Sequence, residues 1–210
     1  MGIINQKVPS QKTTAISYGL EFNQPSSGVK GEVFFELRHP DNKKEVLHKQ
    51  NIYTLDGGVL AAMLFSANAL GTSVKGPVCL AVGDGATGST LNPDLADNRQ
   101  RSLKHEVYRK AFSSTVFRTT TGLISEVPTN IVDFTTVFTE SEANAYLNEM
   151  GLISHYNSDI SLKSPVVATF PEYDTTVDLR GSDILVNYLT FPVISKIQGA
   201  VLAITWRLTF

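Results

Sequence analysis

The chain has 210 residues, 42% hydrophobic and 18% charged, a balance that suits one globular domain or at most two small ones. Eighteen Lys and Arg against twenty Asp and Glu leave a net charge of −2 with no block of like charge, which argues against a nucleic-acid groove or an anionic membrane as partner. A single cysteine, Cys79, rules out an internal disulfide, and no apolar stretch approaches the ~20 residues needed to span a bilayer.

The opening residues lack the charged start and apolar run of a secretion signal, and Gln6 stands where myristoylation wants Ser or Thr. The expectation is a soluble protein made in a reducing cytoplasm. Residues 1–30 are polar and carry Pro9, Pro25, Ser26, Ser27 and Gly28. They are expected to form an extended arm or edge strand, ordered only when a neighbour ties it down.

Strand signals begin at Glu32. Val33–Leu37 and Val46–Tyr53 flank the turn-rich residues 39–43, the signature of a hairpin. Residues 56–70 are rich in Ala and Leu and predict a helix, with Asp56 as its cap and Leu60, Met63, Leu64 and Ala67 on one stripe. Residues 78–82 are uniformly apolar, as expected of a strand inside a sheet, with Cys79 as a small buried hydrophobe. The β-branched and aromatic content of 107–118 and 131–138 predicts two further strands, the second with Val132, Phe134 and Phe138 on one face. Thr139-Glu-Ser-Glu142 has capping-box spacing, and alone it predicts a short helix over 143–150. Near the C-terminus, Leu202, Ile204, Trp206, Leu208 and Phe210 alternate with Val201, Ala203, Thr205, Arg207 and Thr209, a strand with one side in a core. These elements predict a mainly β fold, an antiparallel β-sandwich (jelly-roll-like) with one or two short packed helices, over residues 31–210.

The candidate chemistry centres on Gly83-Asp84-Gly85-Ala86-Thr87-Gly88, which fits G-x-G-x-x-G directly after the apolar strand. A dinucleotide loop needs a helix whose N-terminus receives the pyrophosphate. Here Pro93 interrupts the next residues, and Ser89 stands where a P-loop needs its lysine. The expectation is a tight turn and no cofactor. His39, His48, His105 and His155 are scattered without metal-ligand spacing, and Asp94 and Asp97 lack the pattern of a calcium loop, so they are read as turn and cap residues. Glu140, Glu142 and Glu149 could supply paired carboxylates, but the single tryptophan lies in the final strand and offers no sugar platform. Glu140 and Glu142 fit surface or cap positions better. The basic clusters Lys43-Lys44 and Arg99-Gln-Arg101 read as solvated surface. No catalytic or metal residues are assigned.

The order of the pieces adds to this. It runs Asn51-Ile-Tyr-Thr-Leu-Asp-Gly-Gly58 with a helix, Leu80-Ala-Val-Gly-Asp-Gly85, Leu103-Lys-His-Glu-Val-Tyr-Arg109, Phe134, Ser141-Glu-Ala-Asn144, Leu147-Asn-Glu-Met-Gly-Leu152 and Leu202–Phe210. Over residues 50–210 this resembles a widespread group of tailed-bacteriophage virion proteins, found among tail-fibre, tail-associated and decoration-type components. Ala145 departs from that group's pattern, which has glycine after Ala-Asn. The group's version implies a turn into a strand through Leu147 and Glu149, so the nature of 140–150 stays open. The resemblance implies a non-enzymatic component of the virion, assembled in the host cytoplasm. Its partners would be itself, as a homo-oligomer, and other virion proteins, with the tail or neck ahead of capsid decoration. A second reading is a carbohydrate- or receptor-binding module, with loops 83–103 and 154–176 holding a host glycan. Tyr156, Phe170 and Tyr173 are its candidate aromatics, although core packing is the simpler use of each.

Overall fold

The computed structural model describes residues 28–66, 74–164, 173 and 176–210. The expected arm therefore lies outside the described residues as far as position 27, as do Ala67 and Phe170. From Lys30 the chain is mainly β, with two antiparallel sheets and one short helix.

The predicted hairpin forms between β1 (Lys30–Arg38) and β2 (Lys44–Gln50). Its turn carries Asn42 at φ 66°, a left-handed position that asparagine tolerates better than most residues. The expected second strand does not run on to Tyr53. It breaks at buried Asn51, and β3 (Ile52–Tyr53) joins the other sheet. With its amide turned to donate to Gly31 O at 2.6 Å, Asn51 accepts from Trp206 Nε1 at 2.8 Å and Asn187 Nδ2 at 2.7 Å. A Cβ at position 31 would collide with that amide, so glycine is required there.

The helix α1 spans Leu55–Phe65 and packs on β10 (Ile184–Lys196). Thr54, not Asp56, is its cap: the Thr54 hydroxyl accepts from Gly57 N–H at 2.9 Å. Thr54 sits one residue outside the helix, where a side-chain oxygen reaches the free amides. Asp56 is inside the first turn and committed elsewhere. Leu60 is buried, whereas Leu64 is exposed.

The six-stranded sheet runs β2-β1-β11-β8-β6-β7, with β6 Ser114–Arg118, β7 Ile124–Ser125, β8 Ile131–Phe138 and β11 Val201–Thr209. The five-stranded sheet runs β3-β10-β9-β4-β5, with β4 Cys79–Gly83, β5 Glu106–Ala111 and β9 Ala145–Ser154. The predicted strand over 107–118 is thus two strands in different sheets, bent at Phe112-Ser113. Phe112 packs on Phe134 there, and Ser113 N–H bonds Thr135 O. The helix expected over 143–150 is strand β9. Glu142 does close the capping box onto Thr139 N–H at 2.8 Å, but Ala143 turns left-handed at φ 52° and redirects the chain. The return bond runs from Glu142 N–H to the Thr139 carbonyl at 3.1 Å, which closes a turn.

In β11, Leu202, Ile204, Trp206 and Leu208 are buried in strict alternation, as predicted, while Phe210 lies past the strand and is exposed. These side chains meet Val33, Phe35 and Leu37 of β1 and Leu80, Val82, Leu152 and Val186 of the facing sheet in one apolar core. Each such buried side chain contributes about 1.5–3 kcal/mol.

Candidate functional site: the junction over the five-stranded sheet

The outer face of the five-stranded sheet carries Cys79, Ala81, Ile153, Leu185 and Tyr188, and Leu103 of the long β4–β5 connection covers them. Gly151 makes room: a Cβ there would come within 3.3 Å of Leu103 Cδ1 and 2.7 Å of Asn187 O. The connection is held down by polar side chains pointing up from the sheet.

The glycine-rich stretch resolves as a turn. Gly83 ends β4, Gly88 takes φ +99°, and Asp94 N–H returns to Thr87 O at 2.6 Å. No helix follows. Backbone amides do converge on an anion here, and that anion is the chain's own Glu149. Its Oε1 accepts from Gly85 N–H at 3.1 Å and His105 N–H at 2.8 Å. Its Oε2 accepts from Lys104 N–H at 3.0 Å and Tyr188 OH at 2.6 Å. Glu149 is fully buried. A Cβ at Gly83 or Gly85 would fall 2.7 or 2.8 Å from Glu149 Oε1, so these glycines serve a carboxylate from within. Asn148 completes the clamp, accepting from Ala86 N–H and donating to Ala86 O, each at 3.0 Å.

Asp56 and Arg101 form a second fastening. The pair is bidentate at 2.8 and 3.0 Å, with both side chains 3% exposed. This corrects the expectation that Arg101 is solvated surface. A guanidinium offers two parallel donors to one carboxylate, and that geometry offsets part of the cost of burying both charges. Tyr173 stacks over the same arginine, 5.4 Å from ring centre to Cζ.

Beside these fastenings lies a buried charge cluster that ties β5 to the residues after β9 and before β10. Arg109 donates to Glu106 at 2.5 and 2.7 Å and to Asp183 at 2.7 Å, and Asp183 also pairs with His155 at 2.6 Å. Burial disfavours the Arg109 charge, but the two carboxylates outweigh it and hold the group above its ordinary value. Burial likewise works against Asp183, and its hydrogen bonds, led by Arg109, leave it below the usual carboxylate range. Nearby Cys79 is pushed up to about 12 by burial, an inert thiol as expected.

Between these fastenings opens a cleft of about 170 Å³ whose mouth carries Lys104, His105 and Lys163. The remaining candidates disperse. His39 pairs with Glu45 and His48 with Glu32 at the far sheet edge. Asp94 and Asp97 are turn residues, bonded to Thr87 and to Arg99 N–H. Glu140 is exposed, and Glu142 sits 2.6 Å from Lys110. Tyr156 is 60% exposed, which corrects the core role expected for it. Sequence reasoning gave Glu149, Arg109 and Asp183 no structural role. The signal for Glu149 was present: a lone acid inside the apolar run Leu147–Ile153 must find buried donors.

The residues that carry the resemblance meet one another here and at the sheet junction. Asn51 bonds Trp206, Gly85 bonds Glu149, Leu103 packs against Gly151, and Glu106 pairs with Arg109. Asn144 Oδ1 accepts from buried Lys196 at 3.0 Å. No protein-family model matches the chain, and no curated protein sequence matches it at a significant level.

Proposed function

We propose that the protein is a non-enzymatic structural component of a bacteriophage particle, associated with the tail or neck, that acts through subunit contacts. One observation carries this reading. The motif residues are spent on each other, with Glu149 filling the amide cradle of the glycine turn and Arg109 filling the acids Glu106 and Asp183. Groups so used fasten a long connection to a sheet, and they supply rigidity for a building block. Assembly would then proceed through surface outside this junction, where symmetry multiplies a modest contact.

Light scattering on the purified chain tests the proposal. The expected result is a discrete assembly of fixed copy number, and a monomer at every concentration overturns it. Antibody labelling of particles in the electron microscope separates tail or neck from the capsid surface.

A glycan- or receptor-binding module is the second reading. The cleft flanked by Lys104, His105 and Lys163 and the exposed Tyr156 favour it. Saturable signal on a glycan array, lost on Tyr156→Ala, would move the assignment there.

A further inference from the structure

The two ends of the six-stranded sheet differ in chemistry. At one end, β1 stops at Arg38 and β2 starts at Lys44, with exposed Asp41, Lys43, Glu45 and Glu140 around them. At the other end, Lys30, Thr209 and Ile131 lie side by side, and β6 arrives there at Phe117 and Arg118. This second end is rimmed by apolar side chains: Leu123 is 68% exposed, Ile124 64%, Val127 65% and Phe210 60%. Its edge strand β7 pairs with β6 through Phe117↔Ser125 and Arg118↔Ile124, and among the described residues no strand lies on the outward side of Ser114–Val116. Charge is the usual guard on an open edge; here exposed Glu126 stands among three exposed apolar neighbours.

The chain emerges from β1 at that same end, preceded by 29 residues. Within them, Ile16, Tyr18, Leu20 and Phe22 alternate with Ser17, Gly19 and Glu21, which is strand periodicity with one apolar face. The eight residues from Phe22 to Lys30 reach about 26 Å. Strands are spaced at ~4.8 Å, so β7 lies roughly 20 Å from β1, inside that reach. Residues 23–29 include the turn formers Pro25, Ser26, Ser27 and Gly28, and on the self-association reading the edge the arm meets is a second copy's.

We propose that residues 15–22 of one copy add as a β-strand to the β6–β7 edge of a second copy, covering Leu123, Ile124 and Val127. The inference rests on the self-association reading above and names its surface and its occupant. Backbone pairing supplies the affinity, and the four alternating apolar side chains fix the register. Because arm and rim share one end of the molecule, two copies meeting at that end exchange arms reciprocally about a two-fold axis.

The test uses two full-length variants sized by light scattering. One carries Ile16→Ser, Tyr18→Ser, Leu20→Ser and Phe22→Ser; the other carries Ile124→Lys and Val127→Lys at exposed positions. Thermal unfolding confirms that both fold. Each alone is expected to lose the assembly, with association weakened by ~100-fold or more. Mixed together, they pair again, because the intact arm of the second variant meets the intact edge of the first. An arm variant that assembles like the parent overturns this inference and leaves self-association standing, and so does a mixture that stays apart. A parent chain that is monomeric throughout overturns both.

Discussion

Asp133 and Glu149 are carboxylates almost fully buried on the outer faces of the two sheets, and they are held differently. Asp133, on the six-stranded sheet, is 1% exposed beneath Arg207 at 2.7 and 3.0 Å and Arg118 at 2.7 Å. Those arginines are about a quarter exposed, and Arg207 lies over Phe34, which stacks on His48. Asp133 is therefore roofed by flexible side chains whose heads reach water. Glu149, on the five-stranded sheet, is roofed by main chain: three amides and the buried Tyr188 hydroxyl. Amides in a packed connection have nowhere else to turn. One sheet meets solvent through movable groups, and the other has a second layer fastened to it.

Removing each acid measures that difference. Glu149→Ala strands four donors away from water at about 1–3 kcal/mol each, so a loss of ~4 kcal/mol or more is expected by denaturant unfolding, with amide exchange accelerating first across 84–105. Equal protection of that segment in the variant would break the comparison. Asp133→Ala lets two arginines swing outward and is expected to cost only ~1 kcal/mol. A cost near that of Glu149→Ala would mean the arginines are as fixed as the amides.

The smallest effect is pH-dependent. The Lys110 hydrogen bond, helped by Thr139 N–H, holds the Glu142 carboxyl at about 2 against an ordinary 4.5. A depressed carboxyl stabilises the fold above its unfolded value and loses that contribution as pH falls toward its folded one. Stability should therefore drop between pH 4.5 and about 2. Glu142→Gln should flatten that drop while costing less than ~1 kcal/mol at neutral pH. An unchanged acid slope would show that other carboxylates govern it.

The same contrast explains what the sequence made legible. β11 has a wet face and a dry face, so its period of two could be read directly. β9 is buried on both faces from Leu147 to Ser154, and without alternation the Thr139–Glu142 capping box pointed to a helix. The breaks at Asn51 and Phe112-Ser113 were hidden for another reason. Strand-forming residues resume directly after each break, and only the positions of the two sheets divide them. At the junction, the turn at Gly83–Gly88 followed from Pro93 and Ser89. The occupant of its amides did not, because Glu149 lies far along the chain and only tertiary structure delivers it.

One feature of the sheet order governs how the molecule comes into being. β11 lies between β1 and β8, and Val33 of β1 stands opposite Trp206. The larger sheet cannot close until β11 has been made, so the β1–β2 hairpin waits with Phe35 and Leu37 uncovered. Such distant pairing belongs to the slow folders of milliseconds to seconds. The nascent chain must stay soluble through that interval, a demand that falls on the β1–β2 hairpin, where β2 shows a charged outer rim.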